Sequence, residues 1–197
     1  MAEKVYGYDV DDVYNAMAYT ETGGESDPFI RTKASKVEGG SNAYGPVQML
    51  SRFVADSRNA IYADTKKPMI KYTEDELDYI DRFIEQGDKL YLHGNEEDKV
   101  WYDSKYDYGG SGDLTSDKDK KLYKSVAKKI ISYELKRAKG DLDKFQRAWR
   151  GKTEHFEGGV DLRHLSGFRA KLKKLQGTRE LMPDEAVMGE FIRENVR

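Results

Sequence analysis

Apolar positions recur at steps of three and four along most of the chain, the spacing of one face of an α-helix. Val10, Tyr14, Met17 and Glu21 fall at steps of four, three and four, which predicts a first helix from about Asp9 to about Thr22. Glu21 then stands at the far end of that helix's apolar face, and Gly23-Gly24 supplies a stop. The stretch from Gly23 to Gly45 is rich in Gly, Ser, Asp and Lys. It is longer than compact domains usually leave without structure, so a functional loop or a short β-hairpin is expected there. Pro46 suits a first helical turn and predicts a second helix carrying Val47, Leu50 and Val54 inward. Thr73 and Glu76 have the spacing of a capping box, with Leu77, Ile80 and Ile84 as the inward face that follows.

Residues 93 to 116 are polar, with Tyr, Gly and Asp, and read as a loop. Ser116 or Asp117 caps a strong helix with two neighbouring stripes, Leu122/Val126/Ile130 and Tyr123/Ala127/Ile131/Leu135. Gly140 ends it, and Asp141 caps the next helix, which carries Leu142, Phe145, Ala148 and Trp149 and stops at Gly151. Asp161 opens another, with Leu162, Leu165, Phe168 and Leu172 inward. A peripheral helix closes the chain at about 178–197. These patterns predict an all-α fold of about seven helices, with one long loop or short β-hairpin after the first. They predict one domain over 1–197 with an insertion at about 60–116.

Composition narrows the chemistry. Aromatics at 12%, led by 14 Tyr, are enough to build a core even though 36% of residues are charged. A net charge of −2 leaves no global basic field for nucleic acid. The absence of Cys removes disulfides, thiolate zinc sites and cysteine nucleophiles. His93, His155 and His164 are too scattered for a histidine metal site, so neither metal nor cofactor is expected. No apolar run approaches the ~20 residues of a membrane span. Met1 to Tyr6 lacks the apolar core of a secretory signal, so synthesis in the cytoplasm is expected.

Glu21 is the most informative residue. A carboxyl on an apolar helix face is partly desolvated, which favours its neutral form, and a neutral acid near pH 7 can protonate a leaving group. The plainer alternative is a side chain reaching solvent at a helix end. Downstream stands Ser41-Asn42-Ala43-Tyr44-Gly45-Pro46-Val47-Gln48-Met49. Its small residues permit close backbone approach to a ligand, Tyr44 offers a face to a sugar, and Gln48 offers both donor and acceptor. Trp149, at the end of its helix, is a further aromatic. One buried acid among aromatic, amide and glycine elements suits a saccharide cleft.

Glu21-Thr22-Gly23-Gly24 resembles the Glu-Ser-Gly-Gly of lytic transglycosylases of the goose-type lysozyme fold. Ala43 to Met49 is similar to that family's Gly-hydrophobic-hydrophobic-Gln-hydrophobic motif. Lys139-Gly140-Asp141 with Ala148-Trp149-Arg150-Gly151 resembles its Gly-Asp and Ala-Tyr-Asn-Ala-Gly region, with Trp149-Arg150 in place of Tyr-Asn. The resemblance implies a lysozyme-like fold and cleavage of the bond between N-acetylmuramic acid and N-acetylglucosamine in peptidoglycan. Glu21 is then the catalytic acid and base, and Ser41, Asn42, Tyr44, Gly45, Gln48, Met49 and Trp149 line the substrate. The inserted form and the missing signal resemble phage-encoded members, acting on the bacterial wall either as free lysis proteins or alongside other virion proteins.

Alternatives stay open. Glu25-Ser26 also reads as Glu-Ser, although Glu25 lies off the apolar face. A true lysozyme would need a second carboxylate, for which Glu25, Asp27 and Glu38 are candidates. A non-catalytic virion or glycan-binding protein on the same scaffold is the reading from another class. Arg163, Arg169, Lys171, Lys173, Lys174 and Arg179 form either a solvated face or a patch drawn to an anionic wall. Trp101, Tyr102, Tyr106 and Tyr108 form either a fastening cluster for their loop or a sugar-stacking platform.

Overall fold

A computed structural model of the chain describes residues 3–23, 29, 43–92, 114–149 and 162–181, with side chains as far as 86 in the third helix and over 164–177 in the last. Helices dominate, as the apolar spacing predicts: six are found among the described residues, with one two-stranded hairpin. The chain divides into two compact units, Met1–Ser26 with Ile131–Arg197, and Asp27–Ile130.

The first unit opens with a hairpin. Strands β1 (Lys4–Val5) and β2 (Tyr8–Asp9) pair antiparallel across Tyr6-Gly7, both at positive φ. Two such residues in a two-residue loop give a turn whose twist matches that of the strands. This hairpin precedes the first helix; the stretch after that helix where the sequence pattern allows a short hairpin, Gly23 to Gly45, lies almost wholly outside the described residues. Strands of two residues are too short to show alternation. Asp9 then caps α1 (Val10–Thr22), its carboxylate accepting from the Asp11 amide at 2.9 Å. Gly23 ends the helix in the left-handed region (φ 65°), its amide bonded to the Tyr19 carbonyl. Val10, Val13, Tyr14, Ala16 and Met17 are buried. They pack along α6 (Leu162–Leu181), whose Leu165, Phe168, Leu172 and Leu175 are buried in turn.

The last third of α4 (Asp117–Arg137), from Ile131 on, belongs to this unit, and Ile131 and Leu135 have no exposed surface. Lys139 and Gly140 both adopt positive φ, which ends α4 and turns the chain. A Cβ on Gly140 would stand 2.7 Å from Tyr6 Cβ, so this position takes glycine for space as well as for conformation. Asp141 caps α5 (Leu142–Trp149), accepting from the amides of Asp143 and Lys144.

The second unit is built around aromatic rings. Its helix α2 (Ser51–Asn59) starts five residues after Pro46, later than the proline suggests. Residues 44–49 instead close a tight turn, with Tyr44 and Met49 exchanging both backbone hydrogen bonds at 3.0 and 3.1 Å. Gly45 (φ 76°) and Gln48 (φ 50°) lie in the left-handed region, which a helix cannot pass through. An exposed arm follows, with Ile61 bridged to Pro68, and leads into α3 (Glu74–Leu92). The Thr73/Glu76 box forms as predicted. The Thr73 amide donates to Glu76 at 2.7 Å, and the Glu76 amide donates to the Thr73 hydroxyl at 3.3 Å. The buried face of α3 is Glu76, Tyr79, Ile80 and Phe83; Leu77 and Ile84 sit at its margins. The shift follows the rings, since Tyr79 and Phe83 stack 6.0 Å apart and Phe83 lies 6.1 Å from Tyr44. Ile70, Tyr79, Ile80 and Phe83, within the stretch expected as an insertion, are therefore part of this unit's core. Residues 93–113, Trp101 and its tyrosines among them, lie outside the described residues, as does the closing segment beyond 181.

Candidate functional site

Glu21 occupies the last turn of α1, one turn beyond buried Met17. Its side chain keeps 16% of its surface exposed, so the apolar face carries it most of the way out of water. Oε1 lies 3.0 Å from Nε2 of His164, in the first turn of α6, whose side chain is 15% exposed. The Lys171 ammonium stands 3.6 Å from the centroid of the Tyr19 ring. The two pairs run in opposite order along the two helices, so α1 and α6 are antiparallel here. Cations and ring faces attract, and a half-buried pair of this kind ties the helices together.

His164 is the residue that sequence reasoning missed. Its signal was present: His164, Phe168, Leu172 and Leu175 follow steps of four, four and three, so the imidazole shares the apolar face of α6 just as Glu21 shares that of α1. Glu25, Asp27 and Glu38, the alternative carboxylates, lie outside the described residues, as do Ser41 and Asn42.

The glutamine segment sits in the second unit. Tyr44 has no exposed surface; its hydroxyl donates to the Leu114 carbonyl at 3.3 Å, and its ring packs among Phe29, Phe83 and Tyr123. A ring with no exposed face cannot stack on a sugar, so Tyr44 holds the turn in the core. Gly45 does allow a close approach, but the approaching group is the Tyr123 ring, which a Cβ at Gly45 would meet at 2.5 Å. The Tyr123 hydroxyl donates to the Tyr44 carbonyl at 2.8 Å and accepts from the Val47 amide at 3.2 Å. Met49 is buried as well. Within 43–49 only Gln48 reaches the surface in part, and its amide nitrogen donates back to the Gly45 carbonyl at 2.8 Å. The expected lining of Tyr44, Gly45 and Met49 is thus the inside of a turn, with Gln48 its outward residue.

Trp149, in the first unit, is 5% exposed, with its ring 6.1 Å from Phe145, which in turn lies 6.3 Å from Phe168. It serves the helix interface rather than an open surface. The basic face of α6 is partly engaged within the unit, as Arg169 pairs with Asp143 and Lys171 covers Tyr19. Lys173 and Lys174 are exposed.

Other buried carboxylates are structural. Burial works against the charge on Glu76, but hydrogen bonds from Lys129, Ser125 and the Thr73 amide outweigh it and hold the carboxyl below its ordinary range. Asp119 is treated alike: burial opposes its charge, while Arg82 (2.6 Å) and Ser116 lower its proton affinity overall. Glu134 goes the other way, since burial raises it more than Arg137 lowers it. Among the described residues no group of three potential ligands could hold a metal ion, and no helix is long and apolar enough to cross a membrane. Comparison with protein families, with curated proteins and with solved structures finds no match to this chain.

Proposed function

We propose that this protein cleaves peptidoglycan glycan strands as a lytic transglycosylase, with Glu21 as both acid and base. The supporting observation is the state of that one side chain, a carboxyl five-sixths withdrawn from water at the end of the α1 stripe yet still reaching the surface. A general acid needs both properties: enough desolvation to hold its proton, and enough exposure to meet a substrate. In this reaction Glu21 protonates the glycosidic oxygen as the bond to the muramic acid C1 breaks and positive charge develops on the sugar. The neighbouring acetamido group stabilises that carbon. The carboxylate then takes the proton of the sugar's 6-hydroxyl as its oxygen bonds C1, so the acid is restored and a 1,6-anhydro product leaves. Both nucleophiles belong to the substrate, so a single carboxylate suffices. The wall, with its glycan strands, is the partner this reading requires.

A second reading has its own support. Tyr44, Gly45, Met49 and Trp149 are buried and so offer a glycan no surface, which suits a scaffold kept for assembly without turnover. Digestion of purified sacculi decides between them. Transglycosylase activity releases muropeptides lighter by one water than those of a hydrolase, as read by mass spectrometry. Glu21→Gln should lower that release by about 10²- to 10⁴-fold, the usual weight of a positioned acid. Intact sacculi after wild-type treatment would leave the non-catalytic reading.

A further inference from the structure

We infer that His164 is the positioning residue of Glu21, holding Oε1 so that Oε2 is the oxygen that gives and takes the proton; this rests on the function proposed above. Glu21 has three rotatable side-chain bonds in the last turn of a helix, and by itself it could swing between the helix interface and solvent. The imidazole that meets it is short, stands in the first turn of α6, and is flanked by buried Leu165 and Phe168. Its Nε2 is 3.0 Å from Oε1, and both side chains are about 85% withdrawn from water. As it stands the 3.0 Å contact is not aligned as a hydrogen bond; an Nε2–H turned onto Oε1 donates equally well to the carbonyl oxygen of the neutral acid and to the carboxylate. Such a contact therefore serves Glu21 in both protonation states of the cycle. A lysine or arginine in the same place would favour the carboxylate alone and disable the acid. Nothing in the glycosidic reaction draws on His164 directly, so it acts only through Glu21.

The test uses the full chain with His164→Leu, His164→Gln and Glu21→Gln. Proton NMR of the wild type should show a low-field imidazole N–H resonance that vanishes in both His164 variants and moves upfield in Glu21→Gln. On sacculi, His164→Leu should lose on the order of tenfold or more in kcat with KM within about twofold, because an unheld acid is misplaced rather than unable to bind. His164→Gln, whose amide can still donate to Oε1, should recover most of that loss. Wild-type kcat in His164→Leu would overturn the positioning role, as would equal losses in the Leu and Gln variants, which mark a merely structural side chain. A missing low-field resonance overturns the pairing itself. A wild type that releases no muropeptide overturns the proposed function and with it the role of His164, even if the resonance is present.

Discussion

Gly45 and Tyr123 show how one missing side chain and one hydroxyl organise a turn. Gly45 sits at φ 76° with the Tyr123 ring where its Cβ would be. Gly45→Ala therefore combines an unfavourable backbone conformation with overpacking and should cost about 2–5 kcal/mol, read from urea unfolding. Tyr123→Phe keeps the ring and deletes the hydroxyl, leaving the Tyr44 carbonyl and the Val47 amide without that partner. About 1–3 kcal/mol is expected, less than for Gly45→Ala. Two buried glutamates should respond to acid with opposite signs. Glu76 is held below its ordinary range in the folded state, so its contribution is complete above the unfolded value of about 4.3 and is lost as pH falls through the folded value. Glu134 is raised, so the folded state binds the proton more readily and stability declines as pH climbs from about 4.3 through its folded value. The fall of stability in acid should thus be shallower in Glu76→Gln, with Asp119 still contributing its share. In Glu134→Gln stability against pH should lose a decline above pH ~4.3 and gain at neutral pH.

At the scale of the element, local signals and packing signals separate cleanly. The ends of helices are legible because capping is a matter of a few neighbouring residues. Gly23, Thr73 with Glu76, Ser116, Gly140 and Asp141 all act where the sequence places them. Thr73→Ala removes the hydroxyl that receives the Glu76 amide and should cost about 1 kcal/mol, measured by thermal unfolding. The face a helix buries is less legible. In α3 the partners across the interface, Tyr44 and Tyr123, draw Tyr79 and Phe83 inward at the expense of Leu77 and Ile84. Pro46 misleads for a similar reason: it is compatible with a helix start, but the flanking Gly45 and Gln48 adopt left-handed conformations that close a turn instead.

On the whole-molecule scale, the first unit is assembled from the two ends of the chain. Leu165, Phe168, Leu172 and Leu175 of α6 face α1, which precedes them by about 150 residues of chain. Deleting residues 1–23 should strip that face of its cover and expose a stripe of apolar surface. The truncated chain is expected to bind a hydrophobic dye and to lose the cooperative unfolding of Trp149, followed by its fluorescence. The candidate site depends on the same closure, because Glu21 and His164 come together only when α1 and α6 pack.

Sequence alone determined the helical class, the caps and stops, and the placing of Glu21 on an apolar face, because each depends on contacts within a turn or two of chain. Only the tertiary structure decided that Tyr44 and Gly45 serve a core rather than an open surface, that Tyr123 ties their turn, and that His164 stands beside the carboxyl. Those contacts join residues far apart in the chain, and side-chain volume and hydrogen-bond geometry across an interface have no period that a linear pattern can carry.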